Sequence, residues 1–395
     1  MYPLRINSNL VAMRSRHILI LAVALILSSC IDPFDLDTEN YDDVLVVDGM
    51  ISSGLGPHSV ILSKTGGIDS LNFQYYEGCT VRITDDEGSF VDLDELGEGV
   101  YQTKPLEFEG VPGRKYSVFI ETPEGKSYLS DPQLMLPSVG IDSVYYEYDM
   151  REELDFPLGR EGYQFFVDTK ESDRDSTYFL WRVENTFKFN ADFTVEFYYT
   201  NGNFFEFPAP NIWSTCYSTN KILDVFTENT LNRSKPRIDK QPLHFEDTYS
   251  RALSRRYSLL VEQLVISEKA YDYWQRIRKL KESQGSVFAQ QPYQIRGNVY
   301  GAEDDEEVIL GYFTVAGKSE KRIFLRWKDG PMRYPECQIT DVEREAVGWL
   351  RFSRANEWPV YLTLDAAGRL ARPPISCMDC RTRGGYLNKP AFWID

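Results

Sequence analysis

The chain has 395 residues, a formal net charge of −17 and an aromatic content of 14%. That charge excludes nucleic acid as a partner, because phosphate affinity rests on Lys and Arg displacing counterions, and anionic lipid surfaces would repel the chain as well. Of three histidines, His17 sits in an apolar leader, leaving His58 and His244 with no HExxH and no cluster. This argues against most metal hydrolases and Ser-His-Asp enzymes, and the sequence implies neither a cofactor nor a metal.

The leader places Arg14 and Arg16 before an uninterrupted apolar run of ten residues, Ile18 to Leu27. A membrane span needs roughly 18, so the run has the dimensions of a secretory signal. It closes on Leu27-Ser28-Ser29-Cys30, the form of a bacterial lipobox, which predicts a signal over 1–29 and lipid attachment at Cys30. Each buried CH₂ contributes about 0.8 kcal/mol, so two or more acyl chains give a stable anchor. Residues 30–43 are acidic and lack apolar periodicity, as expected of a tether. Asp35, Asp37 and Glu39 have EF-hand-like spacing, but Asn40 stands where glycine is needed and Val46 where the bidentate glutamate belongs. Losing the leader removes three arginines and no acid, which takes the net charge to −20 and leaves 366 residues, enough for two or three domains.

The rest reads as all-β and mainly antiparallel: short alternating runs rich in Tyr and Phe, separated by turn residues. Residues 44–136 fit a β-sandwich. "VLVVDGMIS" and "HSVILSKTG" are strands, "CTVRITDDEGSFVDL" is a hairpin turning at Asp86-Glu87-Gly88, and "KYSVFI" places Tyr116, Val118 and Ile120 on one face. Val81 and Ile83 are expected inward, with Cys79 as a small buried hydrophobe. His58 is expected in a turn or at the surface. Pro137 marks a boundary, and 137–395 form a larger β-rich domain. One helix is expected in it near 267–284, with Ser267 as N-cap, Gly285 just past the end, and an apolar stripe of Ala270, Tyr273, Trp274, Ile277 and Leu280.

In "FKFNADFTVEFYYTNGNFFEFPAPNIW" the odd positions from Phe187 to Tyr199 share one face. A three-residue turn, Asn201-Gly202-Asn203, would pair Tyr199 with Phe205 and gather the odd aromatics on one buried side. That register is the expectation here, with Tyr198, Phe204 and Trp213 left available to a ligand or partner.

After Cys30, five cysteines remain. An oxidising compartment favours disulfides among Cys216, Cys337, Cys377 and Cys380. A Cys₄ zinc site is the alternative, although only one Cys-x-x-Cys pair exists. A redox dithiol would need a helix after the motif, where Gly384-Gly385 stand instead. Phe392 and Trp393 are expected to plug the last residues onto the domain.

The acidic follow-on to Cys30, "LVVDGMIS", "GPHSVILSKT", "SRRYSLLVEQLVISEKAYDYWQRI", "GSVFAQQPYQIRGNV", "LGYFTVAGKSEKRIFL" and "CMDCRTRGGYLNKPAFW" together resemble the Bacteroidota lipoproteins classed as domain of unknown function 4249. The resemblance implies an N-terminal immunoglobulin-like domain, an outer-membrane location facing the cell surface, and a TonB-dependent receptor as neighbour. It implies no reaction. The expectation is therefore a non-enzymatic accessory of an outer-membrane transporter. The alternatives are a carboxylate-based glycan hydrolase, which needs no histidine, and a structural or adhesive β-module.

Overall fold

The computed structural model describes residues 44–66, 74–153, 156–283, 294–304, 306–326, 334–339, 348, 350 and 352–394. The leader, Cys30, the tether and Gly285 lie outside them.

Alternating apolar positions build one long sheet as the scaffold. Its strands run in the order Thr215–Asn229, Tyr178–Asn190, Arg256–Ile266, Leu310–Arg326, Leu45–Ser52, Ser59–Lys64, Val100–Gln102 and Asp94–Gly97, with Gln74–Tyr75 paired off this path. The fold is mainly antiparallel, as expected. Within the long sheet, Leu45–Ser52 pairs in parallel with Leu310–Arg326, from Val46 opposite Leu310 to Ser52 opposite Ala316. The strand Leu310–Arg326 runs for 17 residues.

A second sheet, Val299–Gly301, Ser127–Ser130, Lys115–Glu121, Thr80–Asp85 and Phe90–Asp92, closes a sandwich over the N-terminal strands. Val47, Ile51, Val60 and Leu62 meet Val81, Ile83, Val118 and Ile120, all essentially inaccessible. Burying each such side chain contributes about 1.5–3 kcal/mol. The inward faces are those the alternation predicts. Two pairings cross the expected boundary at Pro137: Leu45–Ser52 with Leu310–Arg326, and Val299–Gly301 with Ser127–Ser130. Unpaired sheet edges must be covered, and here strands distant in sequence do so. Cys79 is a free thiol packed at the rim of this core, and burial pushes its pKa up to about 11. His58 is not at the surface. It is 2% exposed, with Nε2 3.1 Å from the Phe108 carbonyl oxygen, and burial lowers its pKa.

Each face of the part of the long sheet formed by Thr215–Asn229, Tyr178–Asn190 and Arg256–Ile266 has its own cover, because successive side chains point to opposite sides. On one face, the hairpin Ile141–Glu153 and Phe156–Thr169, with Gln241–Asp247 added, packs Phe165 onto Tyr257 at 5.4 Å beside Trp181, Leu259 and Val261. Gln263 satisfies this core's polar needs: it accepts from Trp181 Nε1 at 3.1 Å and donates to the Val139 carbonyl at 2.7 Å. On the other face lies the helix Glu268–Ser283. The expected stripe from Ala270 to Leu280 packs with Leu180, Leu264, Ile266 and Tyr312. Ser267 Oγ accepts from the Ala270 N–H at 3.2 Å, which is the predicted cap.

Candidate functional site

The aromatic segment is divided between two sheets. Phe187 and Phe189 finish the strand Tyr178–Asn190, opposite Ser218 and Cys216. The chain then starts a separate small sheet, ordered Asn203–Glu206, Phe197–Thr200, Val360–Leu364 and Leu370–Ala371. The turn between its first two strands has two residues: Tyr199 pairs with Phe204 and Tyr198 with Phe205, which corrects the three-residue register. Asn201 and Gly202 both take positive φ, 48° and 82°, the geometry whose twist matches a two-residue hairpin. The pairing expected from burial alone is unnecessary, because Val360, Leu362 and Leu350 form a core with Tyr199 from the other side.

The register decides which rings meet. Phe204, 43% exposed, flanks Tyr199 on the core side, away from the other two predicted contact residues. On the outer face Tyr198 stacks on Phe205 at 5.2 Å. Phe207 lies 4.8 Å from Trp213, and Tyr361 meets Trp213 edge-on at 5.1 Å. Tyr198 and Trp213 thus belong to one five-ring patch bridged by Phe207. Phe205, Phe207 and Tyr361 are the members sequence reasoning missed. Phe205 followed from the turn, whereas Tyr361 arrives from a strand with no local signal.

The patch is fastened from behind. Arg381 lies 4.5 Å over the Trp213 ring and donates to buried Asp379, Nη2 to Oδ2 at 2.7 Å. The Cys380 N–H donates to the Trp213 carbonyl at 3.0 Å. Cys216 bonds Cys380, and Cys337 bonds Cys377. The two cysteines of the Cys-x-x-Cys motif therefore reach different partners, and short 3₁₀ turns, not an α-helix, carry them. Both sulfur pairs are consumed, which leaves none of these four cysteines a thiolate to offer zinc. Gly385 is required beside the first bond: a Cβ there would stand 2.6 Å from Cys216 Cβ. Trp393 is buried against Tyr217 and Phe324, as a plug should be. Phe392 is not, being 39% exposed with Arg322 3.6 Å over its ring.

Asp192 sits beside the second disulfide. Arg251 grips it with two bonds, Nη1 at 2.8 Å and Nη2 at 3.0 Å, and Arg383 adds a third at 3.2 Å. Asp192, Cys337 and Cys377 are close enough together to suggest a cation site. Two guanidiniums on the carboxylate and a bond between the sulfurs make the group unfit for one. His244 stands 3.1 Å from buried Glu246, with Asn185 3.4 Å from the same oxygen, a packed polar cluster.

Fold and site together define a disulfide-stapled, all-β protein with an aromatic surface patch. The chain belongs to the family described as domain of unknown function (DUF4249), which matches residues 31–322. The match ends before Cys337, Cys377 and Cys380, so the C-terminal block lies beyond it. No curated protein matches the chain. Among solved structures, the BSP domain of a biofilm-associated protein is similar at 6% identity and a TM-score of 0.12, over 75% of this chain and 61% of that one. The chain thus spans 61% of that relative's length, and a likeness this slight carries no argument.

Proposed function

We propose that this protein is a non-enzymatic lipoprotein of the outer membrane, anchored through Cys30 and facing the cell surface, that serves as an accessory to a TonB-dependent transporter barrel. The observation that carries the reading is the five-ring patch around Tyr198, Phe205 and Trp213, clamped by Arg381 and the Cys216–Cys380 bond. Clustered aromatics on a rigid support are the usual anchors of protein recognition. Disulfides between segments distant in sequence suit a chain exported to an oxidising compartment, and the lipobox supplies the anchor. The test is affinity purification from native outer membranes. A β-barrel should co-purify with the wild-type chain and be lost from Phe205→Ala and Trp213→Ala, while Cys30→Ala should release the protein from the membrane fraction. A protein that never co-purifies with a barrel would sink the accessory reading.

A further inference from the structure

A groove of about 400 Å³ opens on the helix-bearing face of the long sheet, away from the aromatic patch. Its size lies within the range of small-ligand sites. A break in pairing makes it. Between Trp181 opposite Phe226 and Val183 opposite Ile222, the single residue Arg182 faces three, Leu223, Asp224 and Val225. Such bulges re-aim side chains beside binding sites. Lys281 of the helix holds this one outward, donating to the Leu223 carbonyl at 3.1 Å and to Asp224 Oδ1 at 2.7 Å. Leu223 stands at the lip, 81% exposed. Leu180 and Leu260 contribute apolar lining, and Trp274 of the helix also lines the groove.

Polar capacity is left over inside. Arg182 reaches Asp48 only at 3.4 Å, Glu184 meets Arg322 at 3.4 Å, and Glu262 meets Lys318 at 3.5 Å. These are long contacts beside the 2.7–2.9 Å of a closed charge-assisted bond, so donors and acceptors of both signs remain open to a ligand. The Trp274 indole N–H is buried with no partner among the protein's own groups, and a ligand oxygen that meets it on a turn of the ring would relieve that cost. Each acid in the lining is matched by a base, which selects against a strongly charged ligand. Apolar surface, an indole, and donors alternating with acceptors suit a molecule with apolar ring faces and many hydroxyls. We propose that this groove binds a neutral oligosaccharide.

The proposal is independent of the barrel reading. Its test is calorimetry on the purified full chain in detergent, with cello-, malto-, manno- and xylohexaose as probes. One series should bind. Arg182→Gln and Glu262→Gln should each weaken it about tenfold, the loss of one charge-assisted bond, with Phe205→Ala unchanged. Because Trp274 also packs in the core, Trp274→Phe is the variant that removes the N–H and keeps the ring; it should weaken binding with the melting temperature held. The proposal is overturned if no series binds, if Arg182→Gln and Trp274→Phe bind as wild type, or if Phe205→Ala abolishes binding and so moves the site to the patch.

Discussion

Removing Cys216 and Cys380 together, as a double alanine variant, tests the role of the C-terminal staple. The bond closes a sequence separation of 164 residues, and Cys337–Cys377 closes 40. On the chain-entropy account these loops confine the unfolded chain by about 5 and about 4 kcal/mol respectively. Cys216 and Cys380 are also fully buried, so their truncation leaves a void that adds to the loss. Against a total stability of about 5–15 kcal/mol, the outer pair should cost most of the margin, and more than the inner pair. Guanidinium titrations of the oxidised wild type and both paired variants give the ordering, with the wild-type midpoint highest and the Cys216/Cys380 variant lowest. A Cys337/Cys377 variant less stable than the Cys216/Cys380 variant would refute the reasoning, as would an outer-pair loss below about 1 kcal/mol.

Gly385→Ala should destabilise by about 1–3 kcal/mol through overpacking, since its Cβ would meet Cys216 and Phe189 below 3 Å; thermal melting reads this directly. Gly202→Val should cost about 1–2 kcal/mol, because the turn holds this residue at φ 82°. Fluorescence of the neighbouring rings should change with it. His58 gives a pH signature. Burial depresses its folded pKa below the ordinary 6.5, so its contribution is complete above 6.5 and is lost as pH falls towards the folded value. Wild type should lose stability below pH 6.5 with a slope of up to about 1.4 kcal/mol per unit from this group, and His58→Gln should remove that part of the slope. Ser267→Ala should cost about 1 kcal/mol through the lost cap, measured by chemical denaturation.

The sequence made one kind of information legible and hid another. Local alternation gave the buried faces of Val81 and Ile83 and of Tyr116, Val118 and Ile120, and the 3.6-residue period gave the helix stripe, because both are written within a few neighbouring residues. Asn201-Gly202 was legible as a turn, but its length was misread by asking the hairpin to bury its own rings. The missing partners were Val360 and Leu362, more than 150 positions away. The same distance hid Tyr361 from the patch, Leu310–Ala316 from Leu45–Ser52, and Cys216 from Cys380. Compartment reasoning led to disulfides, but connectivity is a property of which segments the fold brings together. Trp393 read correctly as a plug while Phe392 did not, since Phe392 sits in a turn closed by the Trp393 N–H on the Pro390 carbonyl at 2.9 Å, which leaves its ring at the surface.

The strand Leu45–Ser52 lies between two partners, antiparallel Ser59–Lys64 and parallel Leu310–Ala316. It is also the first described strand. A load applied through the preceding residues therefore acts along the strand axis, across hydrogen bonds that run from it to both sides. All of these resist together in shear instead of opening one at a time like a zipper. A pull from that end is thus resisted by two rows of strand hydrogen bonds at once. Single-molecule pulling from that end should meet far higher force than pulling that peels an edge strand such as Asn203–Glu206.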